Sequence, residues 1–300
     1  MTLRVLGTGC KVLGAACRVL WLVWAVVVGA ADAVGAQTLR QQIDAITAKG
    51  GVAWLSYRVP MVGQRRMCCF DSAVQASTVC CGRCRLERGD GIVLSDAEPS
   101  SPADSRIVVE PPSEMRVFVR VENRAVSRIR TFSLDCDVDA GGATVTALEN
   151  VAVAESVAWL ATVVTLPSDV GDSRNRLQMS ALSALALHPG SAATDRLVAF
   201  ARDDGRTRVR GQALFWLAER AGSEAVSTIG NAIDADPELE VKRRAVFALS
   251  RLPRAEGVPL LIQLARTHRL PEIRRQAMFW LGQSKDPRAV DFFEEILKRK

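Results

Sequence analysis

Histidine is scarce in this chain. There are two in 300 residues, His188 and His268, and neither precedes a glutamate. Repeated imidazole and carboxylate pairs, which would hold a pair of irons, are therefore excluded. The sequence also lacks a Gly-x-Ser-x-Gly elbow, a glycine-rich phosphate loop and a His-Glu-x-x-His pair, so acyl transfer, phosphoryl transfer and zinc proteolysis have no signature. The neighbouring carboxylates Asp203-Asp204 and Glu294-Glu295 read as loop and solvated helix residues, not as an acid and base pair. No catalytic residue and no cofactor site is expected. Blocks of five like charges are missing too, so the net charge of +6 is spread thinly. Such a surface permits contact with anions without indicating nucleic acid.

What is present describes an ordinary folded chain. An apolar content of 48% with 24% charge places it among globular proteins, and its length suits one large or two moderate domains. The first 36 residues resemble an export leader. Arg4, Lys11 and Arg18 precede Val19 to Ala31, thirteen residues without a charge. That run fits a signal-peptide core and falls short of the ~20 residues of a membrane-spanning helix. Val34 and Ala36 allow cleavage before Gln37. Trp21 and Trp24 would suit the alternative, an uncleaved anchor, which is the only membrane contact expected. The expected location is the bacterial periplasm or the exterior.

Export governs the reading of the cysteines. Past the leader remain Cys68, Cys69, Cys80, Cys81, Cys84 and Cys136, an even count that favours disulfides in an oxidising compartment. The doublets pair elsewhere, because adjacent cysteines bridge each other only with strain. No metal centre is expected. The alternative is a tetrahedral site from Cys81 and Cys84 closed by Cys68 or Cys69, and a third reading is thiol redox chemistry at the same Cys-x-x-Cys.

Local patterns then divide the chain. Leu39, Ile43 and Ile46 follow Thr38 at helical spacing, with Thr38 as cap. Val52 to Val59 and Met67 to Phe70 read as strands, and 96–105 as an exposed loop. Met115, Val117, Val119 and Val121 alternate with arginines, Glu122-Asn123-Arg124 turns, and Val126 to Leu134 alternates again. These runs predict an antiparallel hairpin with one solvated face. Val151 to Val164 carries an apolar face of Val157, Leu160, Ala161 and Val164, with Glu155 near its start, and is expected to cap the helical segment beyond residue 171.

From residue 172 one unit is written four times. Leu177-Ala201, Val209-Ile233, Val241-Ala265 and Ile273-Leu297 align at offsets of 32 without gaps. Ala181, Ala213, Ala245 and Ala277 share one column, and Leu185, Leu217, Leu249 and Leu281 another. Such a period predicts stacked helical hairpins. Asp172, Asp204 and Asp236 recur ahead of the first helices as caps, and His268 takes the fourth place, where a different stabilisation is expected. The fold class is therefore α+β by segments: leader 1–36, a small antiparallel β domain 37–142 holding the cysteines, a capping helix and linker 143–171, and an α-solenoid of four 32-residue hairpins over 172–300.

The pattern Asp204, Val209, Arg210, Ala213, Leu217, Ala225, Val226, repeated at Ile273, Arg274, Ala277, Leu281, Asp286-Pro287, Ala289 and Val290, resembles HEAT-type repeats of the phycobilisome-lyase class. The resemblance implies an armadillo-like stack and leaves function open, since such repeats serve lyases, hydroxylases and binding proteins. HEAT-like hydroxylases would need the missing His-Glu pairs, and a bilin lyase sits poorly with an export leader. Cys-Cys-Phe at 68–70, Cys-Cys-Gly-Arg-Cys-Arg-Leu-Glu at 80–87 and Arg-Thr-Phe-Ser-Leu-Asp-Cys at 130–136 are similar to uncharacterised exported bacterial HEAT-repeat proteins.

One column departs from the repeat pattern: Ser183, Phe215, Phe247 and Phe279. Phe215 projects about 200° from the buried stripe at 100° per residue. The column either wedges between adjacent first helices or forms an exposed partner-binding ridge with Trp216 and Trp280. Arg210, Lys242 to Arg244 (with Arg243 between) and Arg274-Arg275 would border it and select an acidic protein. The expected function is an exported, non-enzymatic protein-binding scaffold of unspecified oligomeric state. The alternatives are a metal-binding or thiol-redox protein, or a HEAT-like lyase or oxidoreductase.

Overall fold

The computed structural model describes residues 37–63, 84–87, 112–167, 172–220 and 222–298, with backbone alone at 84–85 and 172–174. The expected leader, the strand at 67–70, the loop at 96–105 and four of the six cysteines lie outside these residues.

The first described helix, α1 (Leu39–Lys49), starts where the sequence says it should. Thr38 Oγ1 accepts from the Gln41 amide at 3.3 Å, and the Gln41 side chain accepts from the Thr38 amide at 3.0 Å, closing a capping box. Among the described residues six strands follow: β1 (Ala53–Pro60), β2 (Cys84–Arg85), β3 (Glu114–Glu122), β4 (Ala125–Ser133), β5 (Val138–Asp139) and β6 (Val145–Ala147). β3 and β4 form the expected hairpin. Its turn residues Asn123 and Arg124 sit at φ 52° and 59°, the left-handed pair that matches strand twist.

Two expectations are corrected here. The sheet runs β4-β3-β1-β6, with β6 parallel to β1, so it is mixed and not purely antiparallel. β6 lies in the stretch read as linker; it closes the free edge of β1, where unpaired amides would otherwise be left. Nor is the second face of the hairpin simply solvated. Phe118 and Phe132 interrupt the arginine alternation, and both are buried with Trp54 and Leu86 in a second apolar cluster.

The first face of the sheet carries Leu55, Tyr57, Val59, Met115, Val117, Val119 and Val121. They pack with Leu39 and Ile43 of α1 and with α2 (Val153–Val164). Glu155, in the first turn of α2, accepts from the Leu39 amide at 3.4 Å and so caps a different helix from its own.

Eight helices succeed α2 as four pairs: α3 (Asp172–Ala186) with α4 (Ser191–Asp203), α5 (Thr207–Arg220) with α6 (Ser223–Ala235), α7 (Leu239–Arg251) with α8 (Arg254–Thr267), and α9 (Pro271–Gln283) with α10 (Pro287–Lys298). The alanine column is fully buried in all four first helices, and the leucine column is at most 2% exposed. Removing a leucine side chain from such a seam costs about 2–5 kcal/mol. Gly190 and Gly222, at φ 89° and 114°, turn the chain into α4 and α6. Gly257 answers a closer contact: a Cβ there would lie 2.3 Å from the Leu249 carbonyl oxygen, so only glycine lets α8 approach α7. One apolar core runs from the first sheet face through α2 into the four pairs.

Candidate functional site

The turns between pairs are built from one column of side chains. Asp204 Oδ1 accepts from the Arg206 amide at 2.9 Å, and Asp236 Oδ1 accepts from the Glu238 amide at 2.8 Å. At the fourth position His268 Nδ1 accepts from the Leu270 amide at 3.1 Å. The expectation of a different stabilisation there is corrected: the imidazole lone pair replaces a carboxylate oxygen in the same two-residue bridge.

A second column, Gln178, Arg210, Lys242 and Arg274, donates to carbonyls of the preceding turn. The acceptors are Leu166 at 2.5 Å, Asp204 at 2.9 Å, Ile233 and Asp234 at 2.7 and 2.8 Å, and His268 at 2.8 Å. Arg210 and Lys242 are thereby buried, so they do not border a surface as the sequence suggested. The carbonyls at the ends of α4, α6 and α8 need donors, and a long cation reaching inward supplies them. Arg243 and Arg275 remain exposed, the latter 3.3 Å from Glu272.

The aromatic column joins neighbouring pairs. The Phe215 and Phe247 rings stack at 5.9 Å and 6°, Phe247 meets Trp280 at 4.8 Å, and Phe279 meets Trp280 edge-on at 4.9 Å. Trp216 abuts Phe215 at 5.1 Å. Phe215 and Phe247 are half-buried because each leans on an aromatic of the following first helix. Phe279 has no such neighbour among the described residues and is 55% exposed.

The same discontinuity appears on the second helices. In one column Ala201, Ile233 and Ala265 are 3%, 2% and 7% exposed, whereas Leu297 is 78% exposed. Val258 is buried and its counterpart Val290 is exposed. Phe279, Val290, Ile296 and Leu297 are thus each more exposed than the residue 32 positions earlier.

Sequence reasoning missed a buried polar chain between the sheet and the helical pairs. Tyr57 Oη lies 2.8 Å from Ser156 Oγ, and Ser156 Oγ lies 2.8 Å from His188 Nε2. His188 Nδ1 lies 2.7 Å from the Ala184 carbonyl oxygen. A carbonyl only accepts, so Nδ1 carries the proton, Nε2 accepts from Ser156, and Ser156 accepts from Tyr57. Burial drives the His188 pKa down to about 4, helped by the nearby Arg220 charge and opposed by the backbone bonds. Burial likewise pushes the Tyr57 hydroxyl well above its usual range, and the Ser156 bond opposes it. All three groups are closed to solvent and cannot meet a substrate. No local signal announces the set, since its members stand 99 and 32 residues apart.

Of the cysteine candidates, Cys68, Cys69, Cys80 and Cys81 lie outside the described residues. Cys84 is placed by its backbone alone, in β2 beside Val138 of β5. Cys136 is half-buried, with Sγ 3.2 Å from Ser133 Oγ. Among the described residues no group of three metal-ligating side chains converges, and no helix is long and apolar enough to cross a membrane.

Four successive helical hairpins with a shared column of turn caps define a helical-repeat protein. Residues 226–300 match the family model described as HEAT repeats. Solved structures that resemble the chain include the complex of CpcE and CpcF of phycocyanin lyase from Nostoc sp. PCC7120. There the identity is 19%, the match covers 48% of this chain and 91% of that one, and the TM-score is 0.36. No curated protein matches the sequence.

Proposed function

We propose that this chain is an exported, non-enzymatic scaffold that binds a protein through the exposed apolar side chains of α9 and α10. The observation that carries this reading is the exposure of Leu297 at 78% in a column otherwise buried. With Phe279, Val290 and Ile296 it leaves four large apolar side chains exposed on one helical pair, and exposed apolar surface marks interfaces. Arg243 and Arg275 bias the partner towards acidic proteins. The charged leader and uncharged core at 1–36 support export. Of the cysteine readings, structural disulfides are favoured over metal or redox chemistry, because six cysteines follow the leader and an even count in an oxidising compartment suits pairing.

The test uses the purified chain without its leader, immobilised and exposed to periplasmic extract. Phe279→Ser combined with Leu297→Ser abolishes capture of a discrete acidic protein at an unchanged melting temperature. Val52→Ser, at a position 57% exposed in the segment before β1, leaves capture intact. Undiminished capture by the double variant overturns the reading. A thiol titration of the same sample finds no free thiol and no zinc; free thiols with bound zinc would favour the metal alternative.

A further inference from the structure

The second face of the sheet holds a cavity of about 270 Å³, walled by Ser56, Arg58, Arg116 and Phe118 of the strands and by Leu86 and Val138 opposite them. Arg58 and Arg116 are direct cross-strand partners, as are Ser56 and Phe118. Residues two apart on a strand share a face, so both arginines project on the side of the cavity. Like charges directly opposite each other on paired strands are unfavourable, and such a pair persists when a counter-charge relieves it. Arg120, further along β3, has this relief: it pairs with Glu87 at 3.2 Å and with Glu122. Arg58 and Arg116 make no hydrogen bond or ion pair with any described residue. The Arg116 guanidinium lies 6.0 Å from the Phe118 ring centroid, a contact that uses its face and leaves its N–H edges free. Glu149 also lines the cavity but makes no ion pair with either arginine, so two cations against one anion leave the wall positive.

The remaining wall is apolar with one unused polar group. Phe118 and Leu86 are buried, and Val138 packs beside them. Ser56 is 6% exposed, and its hydroxyl has no hydrogen-bond partner among the described residues. Two guanidinium forks match a planar carboxylate, which each can hold through paired N–H donors. A hydrated phosphate or sulfate gains nothing from an apolar floor, whereas an aromatic or short aliphatic body does.

We propose that this cavity binds a small amphipathic carboxylate. The anion sits between Arg58 and Arg116, the Ser56 hydroxyl donates to it, and the apolar body rests on Phe118, Leu86 and Val138. The site is independent of the protein-binding end at α9 and α10.

Calorimetric titration of the full chain with phenylacetate tests the assignment, with phenylacetamide and inorganic phosphate as comparison probes. Phenylacetate binds, phenylacetamide and phosphate bind at least about tenfold more weakly, and Arg58→Gln with Arg116→Gln weakens phenylacetate by about tenfold or more. Salt weakens phenylacetate binding. Because Arg58 is exposed, Arg58→Gln alone keeps the arm usable if the double variant does not fold; it weakens phenylacetate several-fold and leaves the melting temperature unchanged or raised. Absence of phenylacetate binding, equal binding of phenylacetamide, equal binding of phosphate, or undiminished binding to the folded arginine variants would each overturn the proposal.

Discussion

Arg210 of α5 reaches across to Asp236 ahead of the next helical pair, with Nε and Nη2 donating to the two carboxylate oxygens at 2.8 and 3.1 Å. The same guanidinium donates to the Asp204 carbonyl at 2.9 Å, in the turn that precedes its own helix. One side chain therefore ties two successive turns together in a nearly water-free seam. Arg210→Ala should lower stability by about 3 kcal/mol or more, because Asp236 is left as a buried charge without its partner. A double-mutant cycle with Asp236→Ala, read by chemical denaturation, should show the two losses to be strongly non-additive. Additive losses would mean that the pair is not coupled.

His188 makes stability depend on pH in a narrow window. Its neutral form is the one that fits between Ser156 and Ala184, and its folded pKa of about 4 lies below the ordinary histidine value of 6.5. Above the unfolded pKa both states are neutral and the interaction contributes fully. As pH falls below it, the unfolded chain takes up a proton that the folded chain refuses. About 3 kcal/mol is lost progressively by pH 4. Denaturation curves from pH 7 to 4.5 should show this slope, and His188→Gln should flatten it. An identical slope in His188→Gln would assign the loss to other groups.

The aromatic chain separates two roles that the sequence could not. Phe247 is held between Phe215 and Trp280, so Phe247→Ala should cost about 2 kcal/mol through lost packing and ring contacts. Phe279 meets the Trp280 ring edge-on and is otherwise largely exposed, and Phe279→Ser should cost under about 1 kcal/mol, as surface substitutions do. Thermal melts of the two variants check the order. Equal losses would place Phe279 in the core.

Legibility followed the range of the interactions. The alanine and leucine columns were readable because burial repeats every 32 residues along a single helix face, and the hairpin because its alternation and its Asn123 turn are adjacent in sequence. The Thr38 cap is likewise a four-residue signal. By contrast, β6 is three residues long, and nothing local distinguishes it from linker until β1 offers an edge. Arg210 and Lys242 looked like surface cations because residue type does not reveal that a carbonyl waits inside. Phe215, Phe247 and Phe279 share one column and one helical angle; their differing exposure depends on the next pair, which periodicity alone does not weigh. Arg58 and Arg116 lie 58 positions apart in number and meet only through the register of β1 and β3.

A protein-binding end on α9 and α10 is tested most directly by hydrogen–deuterium exchange on the chain with and without its captured partner. Slowed exchange should fall on 271–298, around Phe279 and Leu297, while the sheet and α3 exchange as before. Protection confined to the sheet or to α3 and α4, with 271–298 unchanged, would contradict it.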